Sequence, residues 1–390
     1  MADQQEDRRA LLNYSGEPTW ERAIAKAREE IDRLDNITLN IAVTGVVGAG
    51  KSSFVNAIRG LNKKDEGAAP TGVTETTMEP TMYLHPNMPN VILWDLPGIG
   101  SPRFKAKTYM KDVKYQNYDF FIIVNAGRFM ENDIKLAEEI KKKKKNLYFV
   151  RTKIDNDVSR EKEDDASKEE NNVIEEATLE KIRKDCLDNL RTQGSPPVFL
   201  ITSDDLERFD FKELVNTLER DLPDNKRDAL VMSLPVYSNE CLDRKYSLFK
   251  KAAWAVAIAS GAIAAVPVPG LSLACDVAMV VPFLIKCYHS FGLDDRSLEK
   301  MSERVNKPIL QMVRESSLVM AIADKSSLAT KIVARLTVVS VVEALLSLVP
   351  GVGSIAAAGI SFVTTRSVLL EGVKELYSVA KRVIEMAGLK

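Results

Sequence analysis

Between Thr38 and Leu222, short apolar runs alternate with longer stretches in which apolar residues recur every three or four positions. Five runs, TLNIAVTG, NVILWDL, DFFIIVNA, NLYFVRT and PVFLITS, are rich in Val, Ile and Phe. They have strand length and are apolar almost throughout, the pattern of strands buried on both faces. Strands alternating with helical stretches predict an α/β fold, a mostly parallel sheet with helices on both faces. Upstream, in EPTWERAIAKAREEIDRLDN, Trp20, Ile24, Ala27, Ile31 and Leu34 fall at steps of four and three. That spacing lines one face of a helix, with Pro18 suited to its first turn. The stripe must be buried, and the C-terminal half is its expected partner.

After DLPDNKRD the alternation stops and only helical periods remain. Two segments stand out, Ala252 to Cys275 with 24 residues and Ala344 to Thr365 with 22, neither containing a charge. Each is interrupted by Pro and Gly, in VPVPGLS and VPGVGS, with Pro269 and Pro350 81 residues apart. The pattern reads as a repeated apolar helical hairpin. Each half has about a dozen residues, too few to cross a bilayer singly. Three arrangements stay open: core of an all-α domain, tips that dip into one leaflet, or stable membrane insertion. The expected organisation is a helical segment over 1–37, an α/β domain over 38–222, and an all-α domain over 223–390 that the N-terminal helix completes.

Composition changes this picture little. The chain has 390 residues, 45% of them hydrophobic and 28% charged, with a formal net charge of -1. That balance gives no global attraction to nucleic acid or to an anionic membrane, so a ribosome-binding role is disfavoured and no nucleic-acid partner is expected. Four cysteines without C-x-x-C spacing and two histidines predict a reduced, cytoplasmic protein without a zinc site. The charged start MADQQEDRRA predicts no signal peptide, and Ala2 predicts no N-myristoylation. The run Lys141–Lys145 ends a helical stretch, where cations suit the helix dipole. Contact with phosphate or lipid is its other reading.

Chemistry enters with GVVGAGKS, Gly45 to Ser52, which matches G-x-x-x-x-G-K-[ST] between a strand and a helix. Gly45, Gly48, Ala49 and Gly50 would curl the loop so that backbone N–H groups face phosphates. Lys51 would bridge the β- and γ-phosphates, and the Ser52 hydroxyl would ligate Mg2+ beside Ser53. Asp95 ends the strand NVILWD and could hold Mg2+ through a water, while the Gly98 amide meets the γ-phosphate. Thr152, Lys153 and Asp155 in RTKID follow a third strand. A carboxylate there accepts from guanine N1–H and the 2-amino group together, and the Lys153 stem can cover the ring. Thr202 and Ser203, after a further strand, occupy the position of a base-contacting loop. The segment PTGVTETTMEP supplies switch I, with Thr71, Thr74, Thr76 and Thr77 as candidates for Mg2+ and the γ-phosphate. Thr77 is favoured among them. Many Ras-like GTPases place a water-orienting glutamine right after the switch glycine, and this chain has Ile99 there.

The stretches NIAVTGVVGAGKSSFVNAIRGL, EGAAPTGVTETTMEP, NVILWDLPGIGSP and YFVRTKIDNDV resemble the immunity-related GTPases, the interferon-inducible p47 group. The resemblance covers about 20–225 well and the remainder loosely. It implies a dynamin-like GTPase that hydrolyses GTP to GDP with Mg2+, with a helical domain built from both chain ends. It also implies GTP-dependent homodimers of G domains, higher oligomers, contacts with related GTPases, and peripheral association with intracellular membranes through the helical domain. Lys51 corresponds to the lysine form of the family's P-loop, and Glu75 to a glutamate contributing to the nucleotide-dependent dimer. A solvated switch carboxylate is the other reading of Glu75. The alternative function is a nucleotide-gated membrane scaffold or inhibitor with negligible turnover.

Overall fold

The protein is described by a computed structural model. It describes residues 37–72, 77, 79–99, 105–164, 171–194, 196–264, 271–305, 308–324, 327–333, 336 and 353–388. The chain divides into two compact units. One is Ile37–Tyr237, and the other contains the residues from Ser238 onward.

The first unit is built on β1 (Leu39–Gly45), β2 (Thr81–His85), β3 (Met88–Asp95), β4 (Phe120–Asn125), β5 (Asn146–Arg151) and β6 (Val198–Leu200). Their order in the sheet is β2-β3-β1-β4-β5-β6. All neighbours are parallel except β2, which pairs antiparallel with β3 at one edge. Every residue of β4 is buried, as continuous apolar runs in the middle of a two-sided sheet require. The helices of this unit are α1 (Lys51–Ile58), α2 (Ala106–Asp112), α3 (Glu131–Lys142), α4 (Ile154–Asp164), α5 (Asn171–Asn189), α6 (Phe211–Asp221) and α7 (Asp224–Ser233). One core cluster joins Leu96, Met110, Phe121, Leu136, Phe149 and Leu200.

Two expectations are corrected. A sixth strand, β2, lies outside the five apolar runs, because an edge strand keeps one half of its residues exposed and pairs on one side only. The boundary expected at 222 lies at 237. The reason is α7, which packs against β1 and β3 and buries Ala229, Leu230, Val231 and Met232. Lys226 on α7 also pairs with Asp119, whose other carboxylate oxygen accepts from the Asn40 amide at 2.8 Å.

The second unit is helical: α8 (Asn239–Ala264), α9 (Leu271–Ser290), α10 (Asp295–Val305), α11 (Ile309–Val313), α12 (Ser317–Ala323) and α13 (Gly353–Ala387). Helices α8, α9 and α13 pack on one another. Gly372 permits one close approach, since a Cβ there would lie 2.7 Å from Leu284 Cδ2. The buried Asp276 carboxylate joins the three helices, accepting from Ser260 at 2.6 Å and Ser361 at 3.2 Å. Ser260 in turn meets Thr365 at 2.9 Å. Hydroxyls on a buried carboxylate offset part of its desolvation cost. The apolar stretch Asp276–Glu303, of mean hydropathy 1.2, is not one straight helix, because Gly292 turns the chain at φ 68. The N-terminal stripe Trp20 to Leu34, both Pro-Gly tips, Thr74, Glu75 and Thr76 lie outside the described residues.

Candidate functional site

The site lies at the C-terminal end of the parallel strands, where loops after β1, β3 and β5 converge. Gly45 ends β1 at φ 141, and a Cβ there would lie 1.9 Å from the Val124 carbonyl oxygen. No other residue fits so close to β4. Gly48 and Gly50 both have positive φ, 78 and 85, so the loop curls and α1 begins immediately at Lys51. The N-terminus of α1 therefore faces the cleft that the loop borders, an arrangement suited to an anion. Val47, Lys51, Thr71, Thr77, Gly98 and Lys153 are among the residues lining this open cleft, together with Ser52 and Ser53.

Lys51 is buried. Its ammonium donates to the carbonyls of Gly45 at 3.4 Å and Val46 at 3.2 Å, which holds it at the cleft floor. Beneath it lies Asp95, 1% exposed. Asp95 Oδ2 accepts from the Ser52 hydroxyl at 2.6 Å and from the Thr77 hydroxyl at 3.2 Å. Among the described residues, Asp95 Oδ1 is buried with no hydrogen-bond partner. Burial pushes the Asp95 carboxyl up, and the Ser52 bond, the Lys51 charge and the Thr77 bond partly offset this. Two hydroxyls and a carboxylate with an unsatisfied buried oxygen form a hard oxygen set that fits a magnesium ion. Ser52 and Thr77 would be its ligands and Asp95 the carboxylate behind them. The ion would supply charge neutralisation between the terminal phosphates.

The loop after β5 is fastened to the phosphate loop. Thr152 Oγ1 donates to the Ala49 carbonyl at 2.6 Å, and Lys153 Nζ to the Gly48 carbonyl at 3.0 Å. The Thr152 amide donates to the Asn125 carbonyl at 2.8 Å. Lys153 turns the chain with φ 58, and Asp155 follows in the first turn of α4. Two aspartates share that turn, and the structure separates them. Asp157 pairs with Arg151 at 2.5 Å, whereas Asp155 is half-exposed and makes no hydrogen bond or ion pair among the described residues. Thr202 is buried, its hydroxyl accepting from the Asp204 amide at 3.4 Å, and Ser203 is half-exposed beside it. The Ile201 amide donates to the Arg151 carbonyl, which places this loop next to Thr152.

Ile99 is fully buried within the sheet core. Its amide donates to the Gly45 carbonyl at 3.2 Å, and its carbonyl accepts from Asn132 Nδ2 at 2.9 Å. An apolar side chain anchored in the core cannot orient a water in the cleft. Residues the motifs did not single out hold this segment in place. Tyr109 OH donates to the Pro97 carbonyl at 3.0 Å and meets Thr44 Oγ1 at 2.7 Å, and burial pushes the phenol well up. Its surroundings in the sequence, KAKTYMKD, carry no mark of this role.

A family description, "Interferon-inducible GTPase (IIGP)", matches residues 9–376. The chain is similar to "Interferon-inducible GTPase 5" of Rattus norvegicus, with 40% identity over 93% of this chain and 78% of the relative. It is also similar to "Interferon-gamma-inducible GTPase 10" of Mus musculus, with 40% identity over 77% of this chain and 72% of the relative. Among solved structures it is similar to Toc33 from Arabidopsis thaliana in complex with Mg2+ and GMPPNP. That likeness has 14% identity and a TM-score of 0.30, over 47% of this chain and 78% of the other, and no residue role is taken from it.

Proposed function

The chain belongs to the interferon-inducible GTPase family, and from that premise we propose that this GTPase completes its active site by pairing G domains and works on an intracellular membrane. Family membership makes it a GTPase of interferon-type immunity. In the proposed bound state the triphosphate lies along Gly48–Ser52, with the Lys51 ammonium between the β- and γ-phosphate oxygens. Mg2+ is held by Ser52 and Thr77 in front of Asp95, and guanine is read by Asp155 under the Lys153 stem.

The observation that carries the pairing is the burial of Ile99. Among the described residues lining the cleft, none bears an amide or carboxylate side chain that could hold the attacking water. A second protomer can order the switch segments and exclude water from the transferring phosphoryl group. Glu75 in switch I is the residue assigned to that contact. Specific activity is expected to rise with protein concentration, read as phosphate released per molecule over a hundred-fold dilution series. Glu75→Ala should flatten the rise while nucleotide affinity stays nearly unchanged. Constant activity per molecule across the series would overturn pairing.

The membrane contact is assigned to the two Pro-Gly tips, which carry no charge in VPVPGLS and VPGVGS. Solvated turns favour polar residues, so uncharged tips suit a lipid interface reached when GTP assembles the protein. Val268→Asp together with Val352→Asp should abolish GTP-dependent flotation with liposomes while GTP binding persists. Flotation equal to the parent's would remove the tips from this role, and a variant that does not fold would make them core.

A further inference from the structure

The lysine run does not end in solvent alone. In the first unit, the strand C-termini carry the nucleotide site, so the helices that follow them return to the opposite rim. Helices α2 and α3 pack side by side, and their C-terminal ends reach that rim together. Lys145 donates to the carbonyls of Gln116 and Tyr118, just before β4 begins. The Lys143 ammonium lies 5.3 Å from the Tyr115 ring centroid. Lys141 donates to the Gln193 carbonyl at 3.0 Å. The run is thereby held against Lys111 and Lys114 at the end of α2.

Charge is concentrated here rather than cancelled. Of the five lysines in the run, Lys142 has a carboxylate partner, Glu139 at 2.8 Å. Lys141 and Lys145 bond neutral oxygens, and Lys143 meets an aromatic face. Lys111, Lys114 and Lys144 are exposed, and among the described residues they make no ion pair. Lys114 and Lys144 take positive φ, 54 and 57, which turns two successive chain reversals outward at one level. The helix dipole accounts for cations in the last turn of α3. The last turn of α2 accounts for Lys111 in the same way, but neither dipole accounts for the cations that continue beyond the helices, Lys114 after α2 and Lys143, Lys144 and Lys145 after α3.

The geometry points to this rim as a docking surface for an anionic lipid bilayer, independent of the apolar tips. The cations are lysines, strongly hydrated point charges without the planar fork that reads a single phosphate. The exposed ones, Lys111, Lys114 and Lys144, lie at the end of α2 and in the turns that follow α2 and α3. Such clusters are drawn to the negative surface potential of a leaflet and lose that attraction within a Debye length.

The test uses the full chain loaded with GDP and Mg2+, so that GTP-driven assembly and the tips do not contribute. It measures cosedimentation with phosphatidylcholine vesicles, with and without about one-fifth phosphatidylserine. Binding is expected only to the anionic vesicles, and it should fall steeply between about 50 and 300 mM salt. The variant Lys111→Glu, Lys114→Asn, Lys144→Asn keeps side chains that tolerate positive φ at 114 and 144. It should lower anionic-vesicle binding by about two orders of magnitude at low salt while GTP turnover without vesicles stays at the parent's level. Equal binding to neutral vesicles, binding insensitive to salt, or a turnover-competent variant that binds like the parent would overturn the proposal. So would displacement by inorganic phosphate at matched ionic strength, or tighter binding to duplex RNA than to vesicles. If the triple variant loses turnover, Lys144→Asn alone and the parent's salt dependence decide.

Discussion

Replacing Lys51 with alanine is expected to lower kcat/KM for GTP by roughly two to three orders of magnitude, the scale of losing one donor aimed at developing charge in a water-poor site. The ammonium is buried and rests on the Gly45 and Val46 carbonyls at the floor of the cleft. Among the described residues lining the cleft the other cation is Lys153, whose ammonium donates to the Gly48 carbonyl. Alanine removes the point charge and leaves the glycine curl intact, so the fold should survive. Steady-state turnover with the variant's thermal midpoint measured alongside checks this. An unchanged rate in a folded variant would remove Lys51 from the phosphate site.

The second large effect concerns the base. Asp155→Asn should weaken GDP binding by about 2–4 kcal/mol, since an acceptor facing two guanine donors is replaced by a group that presents donors to one of them. That is roughly thirty- to a thousand-fold in Kd. The same variant should gain affinity for xanthosine diphosphate, whose 2-carbonyl accepts what the new amide donates. A reversal of preference separates base reading from a general loss of structure, which would weaken both ligands. Titration calorimetry with the two diphosphates measures it. An unmutated protein that binds ATP as tightly as GTP would remove the guanine assignment altogether.

The strand–loop–helix at Leu39 to Ile58 was readable because its constraints are local. Glycines at 45, 48 and 50 sit where positive φ or a 1.9 Å approach forbids a side chain, and a motif of fixed spacing records that need. The central strands were readable because burial on both faces leaves unbroken apolar runs. Strand β2 was not, since TMYLH alternates over only five residues at an edge. Helix α7 belongs to the first unit and not to the helical domain expected from 223, because DNKRDALVMS groups its apolar residues in one block, which states that its second half is buried but not against which surface. The roles of Tyr109 and Asn132 escaped for a related reason. Their partners are backbone carbonyls of Pro97 and Ile99, and no residue type marks a carbonyl as an acceptor. Asp155 and Asp157 were distinguishable by spacing, but only Arg151 shows why one of them has its charge already occupied.

Thr152 and Lys153 each grip a carbonyl of the loop that cradles the phosphates. The loops expected to meet the two ends of a nucleotide therefore form one braced body. Pyrophosphate alone or guanosine alone is expected to meet its half of the site already in place, so the whole nucleotide should bind more tightly than the two fragments together by about the cost of bringing them together. Residence time follows the same logic. A base that lets go of Asp155 is expected to stay close while its phosphates remain bound, and to rebind before the nucleotide leaves.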